Sequence, residues 1–441
     1  MATVVSFDQA PPLWAPLRFF LTAPLLSLLA GVLMLVQGPA LWDSRWTPGV
    51  LAVTHLMTVG FMLHVMLGAL QQLLPIVVGA PIAHPLAVAR VTHASITAGL
   101  LLLVSGFLWG WPWGFAGAAL LLGLGVAVFV VACAWALWHA PANSMVYRGL
   151  QLSLVGLVLT VGLGVVMALA LAGLESLSIP LTRLVNIHVG WGFVGWGCAL
   201  LGAVALVVVP MFQMTPEYPR WFGRWFAAAA LGLVGAWTLA EWMAWPVLAD
   251  VLGVAVATAA VCLALVTFNL QRQSRRASTD AIGQLWYVAM ASTLLAATLW
   301  AAGRMLAQWQ PGNQWPLIVG ALALFGGFLS VMTGMLYKIV PFMVWMHLQN
   351  LSAGRMLAPN IKKVLPQRAI DLQTRAHWVS LVLLGGAVCW PVVFTYPAGL
   401  ALLLSQAWLA RNLWSVLRVY RDHCATLARK DAISTARVGL S

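Results

Sequence analysis

Histidine is the residue type in this 441-residue chain best suited to chemistry, and five of its nine histidines, His55, His64, His93, His188 and His347, stand in or beside long apolar runs. A neutral imidazole nitrogen donates a lone pair to iron or copper without bringing charge into hydrocarbon. A histidine inside a membrane is therefore read first as a cofactor ligand or a proton carrier. His55 and His64 share the stretch THLMTVGFMLHVMLGALQQLLPIVVG, residues 54 to 79. The interval from His55 to Pro75 is nearly the same as that from His188 to Pro210. At about 1.5 Å of rise per residue the two imidazoles come to one level, near the same end of their helices. If those helices adjoin, the two rings can share a metal or serve neighbouring cofactor sites.

An α-helix advancing about 100° per residue turns His64 to the face opposite His55 and brings Met62 and Met66 into line with His55. Thioethers ligate Cu(I) and haem iron, which makes His55, His188, Met62 and Met66 the candidate metal set. Ordinary core packing gives the same methionine stripe. His64, at mid-depth, heads a polar strip with Gly68, Gln71 and Gln72 and reads as a ligand or a proton-path residue. His93, next to Arg90 at the start of the third apolar run, and His347, just past the tenth, complete the candidate cofactor-binding group. His84, His139, His377 and His423 fall in loops or at run ends, where water would satisfy them. Arg304 and Glu241 read as interfacial residues in a tryptophan belt, with anion or propionate contact as the alternative for Arg304; Lys338 reads as snorkelling to lipid phosphate.

Other chemistries lack material. Asp and Glu total ten, so paired-carboxylate catalysis is unsupported, and no GxxxxGK[ST] phosphate cradle occurs. Cys133, Cys198, Cys262, Cys389 and Cys424 are scattered singly, which suggests neither a thiolate metal site nor a disulfide framework.

The elements that must position these residues follow from composition. With 62% hydrophobic and 7% charged residues and 24 tryptophans, the chain reads as an all-α polytopic membrane protein. Breaks at charged, Pro-rich or Trp-rich points leave twelve runs, each near the roughly 20 residues that cross a bilayer. They lie near 16–37, 50–74, 88–109, 115–138, 149–171, 182–209, 222–246, 250–271, 284–308, 315–340, 377–395 and 396–420. Basic residues gather after the even-numbered runs, as with Arg148, Arg276, Lys362 and Lys363, while Asp43, Glu175 and Asp250 lie in the intervening loops. The positive-inside rule then puts both termini, with the basic tail 421–441, on the cytoplasmic side of what reads as a bacterial inner membrane. The net charge of +13 is topological on this reading, and no soluble basic face exists for nucleic acid.

The second, sixth and tenth runs end alike, in MLGALQQLLPIVVG, LLGAVALVVVPMFQ and MTGMLYKIVPFMVW. Their prolines, Pro75, Pro210 and Pro341, are separated by two near-equal intervals. Each interval is four runs long, which predicts three pseudo-repeated four-helix arcs, about 16–138, 149–271 and 284–420, within one transmembrane domain over 1–441.

Twelve spans, three arcs and histidine on the second and sixth helices together resemble subunit I of the haem-copper oxidase superfamily. That resemblance implies a pseudo-threefold centre formed by the second, sixth and tenth helices. It implies a low-spin haem ligand at His55 and a copper-bearing helix carrying His188, within NIHVGWGFVGWG. The sixth run has no HPEVY-like sequence, the seventh no paired histidines and the tenth no HxH, so a complete dioxygen-reducing centre is not expected and catalysis is left open. Among divergent relatives the chain is similar to the nitric-oxide-response haem and copper membrane proteins of the NnrS type, although it has no WHxHE stretch. The implied cofactors are haem b and, second, copper. The implied task is redox or nitric oxide handling, and the implied partners are the lipid bilayer and a respiratory electron donor or oxidase assembly partner. A transporter or permease with a histidine-lined path is the competing expectation.

Overall fold

The computed structural model describes residues 10–140, 144–173, 180–276, 280–306, 314–352 and 355–438. Glu175, one of the acidic loop residues, lies outside them. The described residues fold into long helices without strands: α1 (Trp14–Gln37), α2 (Pro48–Val78), α3 (Pro85–Trp109), α4 (Pro112–Trp138), α5 (Met145–Leu171), α6 (Leu181–Gln213), α7 (Arg220–Trp242), α8 (Pro246–Arg272), α9 (Ala281–Met305), α10 (Gln314–Ser352), α11 (Gln367–Cys389) and α12 (Pro391–Val438). Eleven of them, all but α11, are long and apolar enough to cross a membrane, which suits a bilayer environment. Proline opens several, at Pro48, Pro85, Pro112 and Pro246, where its fixed φ suits the first turn and its missing N–H costs nothing. The last break falls at Trp390–Pro391 rather than near residue 395. Pro397 is absorbed inside α12, and α11 starts at Gln367, well before the expected 377, because its first half is polar.

α2, α6 and α10 form the centre. Of their most apolar 18 residues, 72%, 67% and 67% are buried, against 22% to 61% in the other eight apolar helices. The remaining nine helices touch in sequence around them, α1 to α3, α4, α5, α7, α8, α9, α11, α12 and back to α1. The three central helices meet at Gly197 of α6, where an added Cβ would stand 2.6 Å from Phe328 of α10 and 2.8 Å from Met62 of α2. Lipid is as apolar as a leucine side chain, so close approach of this kind, rather than apolar burial, holds such helices together.

Each central helix is interrupted by a π-helical segment, at Leu56–Leu63, Trp191–Cys198 and Leu322–Leu329. The three segments start at the same two intervals as the prolines, each equally far ahead of Pro75, Pro210 or Pro341. Further along the same helices, a cleft of about 40 Å³ is lined by Leu73, Val208 and Ile339 and by Ile76, Met211 and Phe342, both triplets again at those intervals.

At the end of the bundle bearing the basic loops, Asp280 caps α9. Its carboxylate accepts the Gly283 N–H at 2.9 Å and pairs with Arg276 and, at 3.2 Å, with Lys338. Lys338 therefore has a protein carboxylate as partner, in place of the expected lipid phosphate. Partial burial opposes ionisation of Asp280, but the Gly283 amide, Lys338 and Arg276 outweigh it and hold the carboxyl below its usual range. A depressed carboxyl stabilises the fold above the unfolded value, about 3.9, and loses that contribution as pH falls through the folded value. Asp280→Asn keeps a cap oxygen but loses the charge. Its Tm in detergent should lie below that of the unmodified protein at pH 7, and the gap should narrow as pH falls below about 3.9; a gap that does not change with pH would count against this assignment.

Candidate functional site

The α-helical part of α2 before its π segment ends on His55. The ring of His55 faces α3, 5.2 Å from the Phe107 ring, and its Nδ1 lies 2.8 Å from the Leu51 carbonyl oxygen. His188, just ahead of the π segment of α6, places its Nδ1 2.9 Å from the Thr160 carbonyl oxygen of α5, with its Cε1 beside Gly164. A carbonyl only accepts, so in both rings Nδ1 carries the proton and Nε2 keeps its lone pair. Among the described residues no group hydrogen-bonds either Nε2. The two rings lie within electrostatic reach of each other. Tethering Nδ1 to a carbonyl fixes ring orientation and raises basicity at Nε2, as in many metal-binding histidines.

His64 closes the π segment of α2 and is fully buried. Its Nδ1 bonds the Val59 carbonyl, five residues back, and its Nε2 lies 3.1 Å from Thr97 Oγ1 of α3. The His93 ring stands 5.5 Å away at 85°, with His93 Nε2 2.9 Å from Thr22 Oγ1 of α1 and Phe19 against both rings. Since α3 begins at Pro85, His93 lies about 12 Å along it. Its half-buried ring packs against that of the fully buried His64, one turn beyond Arg90.

The opposite-face expectation for His55 and His64 fails, because both rings contact α3. A π turn rotates each residue by less than the α-helix's about 100°, so the interval 56–63 turns His64 back towards the side of His55. The same underwinding breaks the methionine stripe. Met62 points to Gly197 at the three-helix contact while His55 faces α3, and Met66 is buried. Met62 is thus turned to α6 and α10, away from the side on which the His55 ring lies.

His347 lies inside α10, which runs through Pro341 to Ser352. Its Nδ1 and Nε2 are each 3.0 Å from a carbonyl oxygen, of Met343 and of Pro11. This ring ties the chain before α1 to the far end of α10, remote from the other four candidates. Arg304 is held by two carboxylates, Glu241 at 2.8 Å and Asp250 at 3.0 Å, which leaves it unsuited to an anion or propionate. Arg304→Leu should cost about 1–3 kcal/mol, less than loss of a fully buried ion partner, and a thermal melt in detergent that shows no change would contradict the pairing.

Two histidines expected to meet bulk water are buried. His377 is fully buried on α11 with Nε2 2.9 Å from Ser330 Oγ, and His423 is buried with Nε2 2.8 Å from Ser352 Oγ. His84 and His139 are exposed as expected. Ser330 closes the π segment of α10 and turns its hydroxyl to the carbonyl five residues back, Phe325, as His64 does on α2. The pairs His64–Thr97 and Ser330–His377 thus correspond with donor types exchanged between the helices. A polar stripe at 373, 374, 377 and 380 in α11 is the signal in the sequence for an inward-facing His377.

Among the described residues no three His, Cys, Asp or Glu side chains gather as a metal site. At His55 and His188 two imidazoles each keep an unpartnered Nε2, the donor type that haem iron takes. A three-ligand copper site has no counterpart in these side chains. Compared with known proteins, the chain matches no family model and no curated sequence.

Proposed function

We propose that this chain is a haem b-binding integral membrane protein with three four-helix arcs, in which His55 and His188 would hold the iron. The observation that carries the proposal is the matched pair of rings on two central helices, each tethered through Nδ1 to a carbonyl and each with Nε2 unpartnered. The resemblance to haem-copper oxidase subunit I supports a haem ligand at His55, although it implies copper rather than haem for the helix of His188, and the common spacing of π segments, prolines and cleft residues supports the three arcs. Haem held by two histidines would supply one-electron redox chemistry, and a diatomic ligand such as nitric oxide would bind only by displacing one of the two. The chain's own residues orient the ligands through Leu51 and Thr160 and keep the site among apolar helices. The basic loops support placing both termini on the cytoplasmic side of a bacterial inner membrane. His64, whose Nε2 is taken by Thr97, is assigned to the buried polar pair with His93 and not to the iron.

Protein purified from haem-replete cells should be red, with a Soret band and a pyridine haemochrome of haem b. Iron analysis should give about one iron per chain on this two-ligand assignment. Colourless protein with no bound iron would overturn the proposal and favour a permease that uses His64 and His93.

A further inference from the structure

α11 carries polar side chains towards its neighbours. Gln373, Thr374, His377 and Ser380 recur at helical spacing and are all buried, with 0% to 3% of each exposed. Thr374 Oγ1, His377 Nδ1, Ser380 Oγ and Gln373 Oε1 have no hydrogen-bond partner among the described residues. On the facing helix α10, Ser330 bonds His377, and Thr333, three residues on along the same face, has a buried hydroxyl that is also unpartnered. Orphaned polar atoms inside a membrane bundle cost several kcal/mol each, and internal water is the usual means of satisfying them.

The stripe opens at one end. A cavity of about 700 Å³ lies between the start of α9 and the first turns of α11, lined by Asp280, Gln284, Gln367, Asp371, Thr374 and Arg375. Thr374 belongs to both cavity and stripe. From it His377 and Ser380 follow at steps of about 4.5 Å of rise, a separation that one water molecule bridges with two hydrogen bonds. Among the described residues that line this route the carboxylates are at the mouth, where Asp280 pairs with Arg276 and Lys338 and Asp371 shares the cavity lining with Arg375. The lining deeper in is hydroxyl, amide and imidazole, groups that both donate and accept and that offer a metal cation no charge. That chemistry suits protons rather than metal ions.

We infer that the cavity and the α11 stripe form a water-filled inlet, open at the basic end, that delivers protons to His377 at the middle of the bundle. A proton arriving through the water chain is taken by the lone pair of whichever nitrogen is unprotonated. The imidazolium then donates from Nε2 to Ser330 Oγ and from Nδ1 to water, and returns its proton by the same route. The inlet does not depend on haem at His55 and His188, and colourless protein would leave it standing.

Water access is measurable in the unmodified, full-length protein by deuterium exchange at the histidine C2 position, read by mass spectrometry. His377 should exchange within about tenfold of the exposed His84 and His139, because buried groups in contact with internal water exchange without global unfolding. A rate more than about a hundredfold slower would overturn the inference. In protein whose native cysteines are replaced by alanine, Thr374→Cys and Ser380→Cys should react with a small water-soluble methanethiosulfonate. Val382→Cys, on the exposed side of the same helix, should not. Equal reactivity at all three positions would also sink it.

Discussion

With haem held by His55 and His188 as proposed, the His188→Ala protein should lose the low-spin haem spectrum, while His347→Ala keeps it. Removal of a group that merely orients a metal ligand typically costs 10–100-fold in affinity, so loss of the ligand itself should reduce haem content at least about tenfold under the same purification. His55→Ala should behave like His188→Ala, since the two rings have the same tether and the same free Nε2. His64→Ala should keep the band, because its nitrogens are committed to Val59 and Thr97. Structural collapse would also bleach the protein, so the decisive observation is rescue. Imidazole added to His188→Ala should enter the space left by the ring and restore the low-spin band, which a purely structural role would not allow. An unchanged Soret band in His188→Ala would remove this residue from the site.

Gly156→Ala should be among the most damaging single-methyl additions in the bundle. An added Cβ would overlap the carbonyl oxygen and carbon of Gly195 and stand 2.9 Å from the Trp196 nitrogen, all backbone atoms of the π segment in α6. Backbone cannot swing aside as a side chain can, so α5 and α6 must separate. Overpacking of this kind costs about 1–3 kcal/mol, and Gly156→Val should exceed that range. The damage should also reach the haem. Thr160 lies one turn along α5, and its carbonyl, which holds His188 Nδ1, moves with Gly156. Gly156→Ala is thus expected to lower both the melting temperature and the haem content, by thermal melt and absorbance in the same detergent. Stability and colour equal to the unmodified protein would mean that α5 and α6 do not approach so closely.

Much of the architecture is legible in the sequence because hydrocarbon imposes a length on apolar runs, and proline marks where they start and stop. Nine of the twelve runs coincide with helices to within about four residues at each end, and the tenth starts as expected but continues through Pro341 to Ser352. The mismatch at α11 has a cause: its polar first half looks like a loop, yet α10 and α12 cover that face, and Gln373, Thr374 and His377 become interior residues. The site is harder to read. Counting from Pro75 and Pro210 places His55 and His188 in register, and that needs only the rise per residue. Direction around the helix is misjudged for His64, Met62 and Met66, because a fixed rotation per residue does not hold across a stretch where the helix widens. Each of those stretches holds glycine, at Gly60, at Gly192, Gly195 and Gly197, and at Gly326 and Gly327, but glycine is too common in membrane helices to announce a π turn. His93 escapes such counting because its depth depends on where α3 begins and on which neighbours lean over it.

The π segments bear on how this gene can vary in length. A single-codon deletion inside an ordinary membrane helix turns everything beyond it by about 100° and ruins its packing. At Leu56–Leu63, Trp191–Cys198 and Leu322–Leu329 the chain already holds slack, so losing one residue can tighten the widened turn to a regular helix and leave the distant ends in register. Deletion scanning should therefore find these three intervals more forgiving for insertion into the membrane than the helices around them. What they would lose is local: the carbonyl contacts of Val59 and Phe325, and with them the aim of His64 and Ser330.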